Sequence, residues 1–300
     1  MGDILIDKNS REIFNYSNSN FPLEIWIDDY TTMTNNILQY HWHNDFEFCL
    51  LLSGEIDFYI DKNKIPIRKG EGVFINAGSL HMGKLTSRGD SALMLVITFH
   101  PSLFLIKDNH SFYKKYIQNI IESKIIGGKI NSNSVIGAIL IDRLKKLYME
   151  HCDKQIDELL LLSSLFEIWH YFLKYIDTNQ VIEKILSHKQ EREIKDIIFF
   201  IQTHYSENIV IDDIAKYAKI SRSECFRIFK KFTSKKPIEY INNYRLASAA
   251  RMIKNSNLTI TDIYIKCGFS NASYFGKLFK KKYGLTPLKF RKHFNNLNAK

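Results

Sequence analysis

The chain has 300 residues, a mass of 35.3 kDa and a formal net charge of +10, with 45% hydrophobic and 25% charged residues. This ordinary composition contains enough apolar residues for a folded core. Residues 189–300 contain 23 Lys and Arg against 9 Asp and Glu, a net charge of +14, whereas residues 1–188 have a net charge of −4. The imbalance argues against a single uniform domain and indicates a polyanionic partner for the second half.

Several protein classes are disfavoured at once. No run approaches the roughly 20 consecutive apolar residues that span a bilayer, and the first residues, Met1 to Leu5, lack the pattern of a signal peptide. The four cysteines are isolated, so we expect reduced core residues of a cytosolic protein and neither a disulfide framework nor a zinc finger. They are Cys49, Cys152, Cys225 and Cys267.

Residues 22–100 predict β-strands. Short β-rich runs at 48–52, 56–60, 73–75 and 93–99 are separated by turn residues. Within residues 56–60 the even positions are apolar, which is typical of a half-buried strand.

The first half also contains residues at metal-ligand spacing. His41, His43 and Glu47 have the same parity, so on one strand their side chains project to one face. His81, at the end of a glycine-rich stretch, is a fourth candidate. Three imidazoles and a carboxylate suit Fe, Mn, Ni, Cu or Zn.

These residues resemble the two motifs of the cupin family. The first motif, His-x-His, Glu and Gly, runs from His41 to Gly54, and the second matches at Gly70, Gly78 and His81. Asn76 replaces the usual Pro, and Leu85 replaces a later Asn. The resemblance covers residues 25–100 and implies a double-stranded β-helix, or jelly roll, with an interior pocket.

Two interpretations of the His/Glu set stay open. The set forms either a divalent transition-metal centre or a metal-free pocket whose side chains bind a small polar effector by hydrogen bonds. Among effectors a sugar is the leading candidate, and a purely structural barrel that binds nothing is a third possibility.

The middle of the chain, residues 111–188, reads as helical. Two apolar stripes follow helical spacing. The first comprises Val135, Ile139, Leu140, Leu144 and Leu147, and the second comprises Leu159, Leu162, Phe166, Trp169, Leu173 and Ile176. Such stripes are typical of helices that pack on the barrel.

The basic half contains an internal repeat. Asp213-Ile214 recurs 49 positions later as Asp262-Ile263, and residues 227–231 recur, after a one-residue insertion, as residues 277–281. Each copy predicts a short helix, a tight turn and a second helix, which is a helix-turn-helix. Pro237 suits the first turn of a helix that joins the copies and ends at Asn255.

The second helix of each copy divides into two faces. In the first copy Cys225, Ile228 and Phe229 face the core, and in the second Phe275, Leu278 and Phe279 do so. Ser221 and Glu224 predict a capping box at the start of the first copy's second helix. Gly268 supplies positive φ in the second turn, and Lys219 stands at that position in the first.

The repeat resembles the AraC family of bacterial transcription regulators. The match covers about residues 195–293 and is strongest in the second copy, at Cys267-Gly268-Phe269, Thr286-Pro287 and Phe290-Arg291. Lys277 stands where Arg is usual and Val210 where a capping Ser is common. The resemblance implies two helix-turn-helix units, each inserting its second helix into a major groove. It also implies a cupin-like sensor domain in which one of the two helices of the middle region forms a homodimer interface, and we favour this dimer over packing on the barrel alone.

By the same resemblance, outward side chains divide into base readers and phosphate contacts. The base readers are Ser223, Phe226, Arg227, Asn271, Ser273 and Lys277. The phosphate contacts are Lys230, Lys231, Lys280 and Lys281.

The predicted fold is multidomain α+β. It has a cupin-like effector-sensing domain at 1–110, a helical dimerisation and linker region at 111–188, and an AraC-type DNA-binding domain at 189–300. The predicted function is a cytoplasmic, ligand-responsive activator of transcription that binds promoter DNA, RNA polymerase and a second copy of itself, with no catalytic residues and no membrane partner. The alternative is a metal-dependent cupin enzyme, an isomerase or dioxygenase, with a helical extension.

Overall fold

A computed structural model of the chain describes residues 16–18, 20–33, 37–86, 91–106, 109–153, 157–178, 181–183, 188–233 and 236–298. The chain divides near residue 185 into two compact units. The first is α+β and the second is helical, so the predicted fold class is confirmed.

The first unit is a sandwich of two antiparallel sheets. The strands are β1 (Leu23–Asp29), β2 (Ile37–His41), β3 (Phe46–Ser53), β4 (Glu55–Ile60), β5 (Asn63–Arg68), β6 (Gly72–Ile75), β7 (His81–Leu85), β8 (Leu93–Phe99), β9 (Ile125–Ile130) and β10 (Ile182–Glu183). The strand order is β1-β8-β3-β6-β9-β10 in one sheet and β2-β7-β4-β5 in the other.

The six-stranded sheet is buried on both faces. Side chains alternate along β3, so Phe46, Phe48 and Leu50 contribute to one core, while Cys49 and Leu51 contribute to another between the two sheets. This double burial explains why β3 reads as a continuous apolar run, whereas β4 alternates as predicted.

Two helices, α3 (Val135–Cys152) and α4 (Glu158–Thr178), pack in the first of these cores. On α3 the predicted residues Leu140, Leu144 and Leu147 are buried. On α4 the predicted stripe is displaced, because this helix is apolar on several faces: Leu159 is 75% exposed. The residues buried on α4 include Leu165, Ile168, Trp169, Phe172 and Tyr175.

Helix α4 is also long and apolar enough to cross a membrane by length and composition. Its buried face packs in the core, where the Trp169 ring lies 4.5 Å from that of Phe46. These contacts are typical of a core helix.

The middle region is not entirely helical, contrary to the prediction. It contributes β9 and β10 to the six-stranded sheet, and the two glycines of β9 weaken its strand signal. Before β9, α1 (His110–Tyr113) and α2 (Asn119–Ile121) flank a π-helical segment at Lys114–Gln118. Three of the four cysteines are buried and free as expected, but Cys152 is exposed.

The second unit contains seven helices within the described residues. The helices are α5 (His188–His204), α6 (Ile211–Tyr217), α7 (Arg222–Thr233), α8 (Pro237–Asn255), α9 (Ile260–Lys266), α10 (Ala272–Tyr283) and α11 (Pro287–Asn298). Helix α8 has the limits predicted from the sequence.

Candidate metal centre and nucleic-acid interface

The four predicted ligands of the first unit lie together, although not on one strand as the parity argument assumed. His41 ends β2, His43 lies in the connection from β2 to β3, and Glu47 is on β3, in the other sheet. His81 begins β7 directly opposite His41. The chain crosses between sheets after His41, and this crossing brings the residues together.

The cluster has the dimensions of a single-ion site. One ligand atom from each of the four residues lies within 4.8 Å of the others, and each residue is at most 4% exposed. The Nδ1 atoms of His41, His43 and His81 each lie 2.8–3.0 Å from a backbone carbonyl oxygen two residues away. Because Nδ1 donates to these carbonyls, Nε2 of each ring is the nitrogen that can bind a metal, and Nε2 of His43 lies 3.1 Å from Glu47 Oε2.

The charge states also suit a metal. Burial lowers the pKa of His41 well below its usual value and that of His81 to about 4, so both rings are neutral at pH 7. Burial alone would raise the pKa of Glu47, but the hydrogen bond from His43 and the neighbouring imidazoles outweigh it and lower that pKa. Within the described residues His81 Nε2 is buried without a hydrogen-bond partner, 3.8 Å from Glu47 Oε2, as expected of an atom that can bind a metal.

Two further residues hold Glu47 in place, and no sequence motif points to either of them. The Cys49 thiol donates to Glu47 Oε1 at 3.0 Å, and the Thr98 hydroxyl donates to Oε2 at 3.3 Å. Both residues are almost completely buried. Such partners orient a ligating carboxylate.

Asn76, which replaces the usual cupin Pro, links the glycine-rich loop by hydrogen bonds to α2 and to β9. Its Nδ2 donates to the carbonyls of Ile120 and Ile125 at 2.8 and 2.6 Å. In the same loop Gly78 N–H donates to the His43 carbonyl at 2.6 Å. The substitution therefore replaces a rigid turn residue with a buried hydrogen-bonding one.

Two other polar side chains, both missed at the sequence level, lie inside the sandwich. Asp28 is 4% exposed and accepts a hydrogen bond from Trp26 Nε1 at 2.9 Å, and burial raises its pKa to about 6. The Tyr30 hydroxyl is buried with no hydrogen-bond partner in the described part of the chain. It occupies the space that a Cβ at Gly83 would fill.

In the second unit the first helix-turn-helix, α6 and α7, presents the predicted faces. Cys225, Ile228 and Phe229 are buried, while Phe226 is 39% exposed. Ser221 caps α7 by accepting from Glu224 N–H at 3.1 Å. The predicted capping box is only half formed, because the Glu224 carboxylate binds Arg227 instead of returning to the cap.

The second helix-turn-helix, α9 and α10, has the same division. Phe275 and Phe279 are buried and Leu278 is half-buried, whereas Ser273 and Lys277 are exposed. Asn271 is the N-cap of α10, and its Oδ1 accepts from Tyr274 N–H at 2.8 Å. Its amide oxygen is therefore engaged in the helix cap.

Both turns have the predicted left-handed residue. Lys219 has φ +54° and Gly268 has φ +78°. A Cβ at Gly268 would lie 2.5 Å from the Tyr205 carbonyl oxygen. Arg245 of α8 donates to that same carbonyl at 2.7 Å and to the Glu207 carbonyl at 2.6 Å, which fixes the end of α5 beside the turn.

Comparison with known proteins matches both halves of the chain. Residues 214–293 match the family model of a helix-turn-helix domain, and residues 34–98 match that of a cupin domain. A probable transcription factor of Proteus vulgaris, PqrA, is 35% identical over 105 residues, which cover 34% of this chain and 86% of PqrA. The chain belongs to the AraC family of helix-turn-helix transcriptional regulators.

Two relatives match across both units of this regulator. YdeC of Bacillus subtilis, an uncharacterized HTH-type transcriptional regulator, is 27% identical over 97% of this chain and 99% of its own length. The lactose operon transcription activator of Staphylococcus xylosus is 24% identical over 76% of this chain and 83% of its own length. These relatives are transcription regulators and not enzymes, which decides against the cupin-enzyme alternative.

The AraC-type regulator therefore binds DNA through its helix-turn-helix domain. Its sequence-predicted reading residues Ser223, Phe226 and Arg227 lie on the exposed side of α7, and Ser273 and Lys277 lie on that of α10. Of the predicted phosphate-contacting lysines, Lys231 is half-buried, and Lys230, Lys280 and Lys281 are exposed.

Proposed function

We propose that this regulator is a transcription activator that reads double-stranded DNA with α7 and α10 in two neighbouring major grooves, under the control of a small effector bound in its first unit. The observation that supports the reading role is the division of both helices into an apolar buried face and an exposed face that carries the predicted base-reading side chains. Base edges are read from the exposed face by Ser223, Phe226, Arg227, Ser273 and Lys277, and phosphates are bound by Lys230, Lys231, Lys280 and Lys281.

Helix α8 sets the distance between the two reading helices. Its 19 residues give a rigid spacer of about 28 Å, close to the ~34 Å between successive major grooves on one face of DNA. Asn271 acts in this arrangement as a donor through Nδ2 alone, since its oxygen caps α10.

Selection of binding sites from random duplexes with the full chain tests this proposal. We expect two conserved blocks about one helical turn apart, and an affinity that falls steeply as salt is raised. Absence of sequence enrichment, or an affinity independent of salt, would contradict it.

We further propose that His41, His43, Glu47 and His81 bind a divalent transition metal. The four ligand atoms lie within 4.8 Å of one another and all four residues are buried, which supports a metal more strongly than the metal-free pocket. A bound ion would fix the crossing between the two sheets, because its ligands come from both of them.

Metal analysis of the untagged protein tests this site. We expect about one metal ion per chain in the native protein and in a His170→Ala control, whose imidazole is exposed on α4. The His43→Ala variant should lose the ion. Negligible metal in all three proteins would leave the hydrogen-bonding pocket as the better explanation.

The effector is proposed to be a sugar that binds inside the first unit. Asp28 and the unpartnered Tyr30 hydroxyl offer hydrogen bonds there, and the name of the lactose operon activator shows that one relative serves a sugar operon. A thermal-shift screen against sugars, other metabolites and metals tests this, because selective binding to the native state raises its melting temperature. A hit confined to another chemical class would reject the sugar.

We also propose that the regulator acts in the cytoplasm as a homodimer and recruits RNA polymerase. Leu159 is 75% exposed and Leu160 41% exposed on α4, so this end of the helix offers an apolar surface for a second copy. Sedimentation of the full chain and of a Leu159→Lys variant tests the dimer. A monomeric native protein at micromolar concentration would contradict it.

A further inference from the structure

The exposed side of α7 carries an ion pair between Glu224 and Arg227. Arg227 Nε donates to Glu224 Oε2 at 2.7 Å, and Arg227 Nη2 donates to Oε1. The two side chains remain 32% and 53% exposed, respectively. An exposed pair three residues apart on a helix adds little to stability, so its main consequence is the orientation of the guanidinium.

The contact uses one edge of the guanidinium and leaves another free. Arginine offers donors along two edges, one formed by Nε and Nη2 and one formed by Nη1 and Nη2. Glu224 occupies the first edge. The second edge still presents two donors, which can bind the O6 and N7 acceptors of guanine in the major groove.

We infer that Glu224 is a positioning residue that holds Arg227 with its Nη1/Nη2 edge free for a guanine. The inference rests on the reading role proposed above for Arg227. An unrestrained arginine would have to be ordered when DNA binds, whereas Glu224 orders it in the free protein. The carboxylate therefore favours the guanine site, although its charge opposes binding to any phosphate backbone.

The second reading helix lacks this arrangement. Tyr274 stands three residues before Lys277, and its hydroxyl accepts a hydrogen bond from Asn242 Nδ2 of α8 at 3.2 Å. Lys277 also offers a single ammonium group and no planar fork. We therefore expect the sharper base preference in the half-site that α7 reads.

The test compares two duplexes and two variants of the full chain. The first duplex is the site selected by the native protein, and the second carries a replacement of the G·C pair at which Arg227→Ala loses discrimination. Glu224→Ala should lower the ratio of the two affinities by about two- to tenfold. Glu224→Gln, which keeps one acceptor, should lower it less.

Asp212→Ala is the matched control. It removes one negative charge from the same module, where Asp212 forms an exposed ion pair with Arg222 at 3.0 Å. It should strengthen binding to both duplexes equally and leave their ratio unchanged. If Glu224→Ala behaves in this way too, Glu224 acts through charge alone and the inference is overturned.

A double variant separates positioning from direct contact. In the Arg227→Ala background, Glu224→Ala should cause no further loss of discrimination, because the group that it positions is absent. An equal loss in that background would mean that Glu224 contacts a base itself, which overturns the inference.

The single variants distinguish failure of the base-reading role of Arg227 from failure of the positioning role of Glu224. If Arg227→Ala alone leaves discrimination intact, the reading role fails. If Arg227→Ala removes discrimination and Glu224→Ala does not, only the positioning role fails.

Discussion

The two helix-turn-helix motifs of the second unit have the same architecture but are stabilised differently. In the second, Thr259 and Asp262 form a reciprocal capping box at α9, and a glycine takes the left-handed turn position. In the first, Val210 offers no side-chain acceptor at the start of α6, and Lys219 takes the left-handed position. Asp213 still accepts from Val210 N–H at 3.0 Å, so half of the box is kept.

This difference separates local from tertiary control of the same motif. The second helix-turn-helix motif carries cap and turn residues that favour its geometry even without tertiary contacts. The first reaches that geometry with an unfavourable turn residue, so packing of residues such as Ile214, Cys225 and Phe229 must maintain it. The proposed base-reading residues differ as well, with Arg227 paired to Glu224 in the first motif and Lys277 in the second.

The largest expected effect comes from the second turn. Gly268→Ala should lower the free energy of unfolding of the helical unit, residues 188–298, by about 3 kcal/mol. The substitution adds left-handed strain and places a Cβ 2.5 Å from a carbonyl oxygen. The matched Lys219→Gly should instead stabilise by about 0.5 kcal/mol. Hydrogen exchange of residues 188–298 measures both changes.

Tryptophan fluorescence provides the control for this comparison. Trp26, Trp42 and Trp169 all lie in the first unit, so its unfolding transition should stay unchanged in both variants. An unaltered exchange pattern in Gly268→Ala would contradict the close approach at the turn.

Arg227→Ala and Lys277→Ala compare the two reading helices. Loss of Arg227 should relax specificity at one base pair by about 1–3 kcal/mol, because a bidentate contact to guanine is lost. Loss of Lys277 should cost less, since an ammonium group lacks the planar fork. Affinities for the selected site and its single-pair variants measure the difference. Equal weakening on cognate and random DNA would exclude base reading by Arg227.

Exchanging the N-cap residues of α6 and α9 should reduce the difference in local stability between the two helix-turn-helix motifs. Val210→Thr supplies the missing acceptor and should stabilise the first helix-turn-helix by about 1 kcal/mol, and Thr259→Val should destabilise the second by a similar amount. Hydrogen exchange of α6 and α9 gives both values. If hydrogen exchange changes in neither helix, the caps do not account for the difference in stability between the two motifs.

The smallest expected effect concerns the lysines at matching positions of the two helix-turn-helix motifs. Lys230→Gln and Lys280→Gln should each reduce the slope of log affinity against log salt by about 1, with no change in discrimination. Salt titrations on cognate and random duplexes measure this. A change of discrimination by either variant would assign that lysine to base reading.

Much of this organisation was predictable because it depends on local patterns. The repeat, the buried faces of α7 and α10, the limits of α8 and the left-handed turn residues follow from spacing and turn chemistry. Strand β9 was missed because glycines break its pattern, and the buried face of α4 was misplaced because that helix is apolar on several sides.

The sequence by itself determined which residues of α7 and α10 face a core, which helices form the two helix-turn-helix motifs, and which four residues are candidate metal ligands. Only the tertiary structure decided how those ligands meet, since His41 and Glu47 belong to different sheets, and it alone identified Asp28, Tyr30, Cys49 and Thr98 as their buried neighbours. Helical and strand periodicity is a property of neighbouring residues, whereas convergence at a site depends on contacts between strands far apart in the chain. The pairing of Glu224 with Arg227 in place of the helix cap was likewise decided by side-chain geometry, because the sequence allowed either partner.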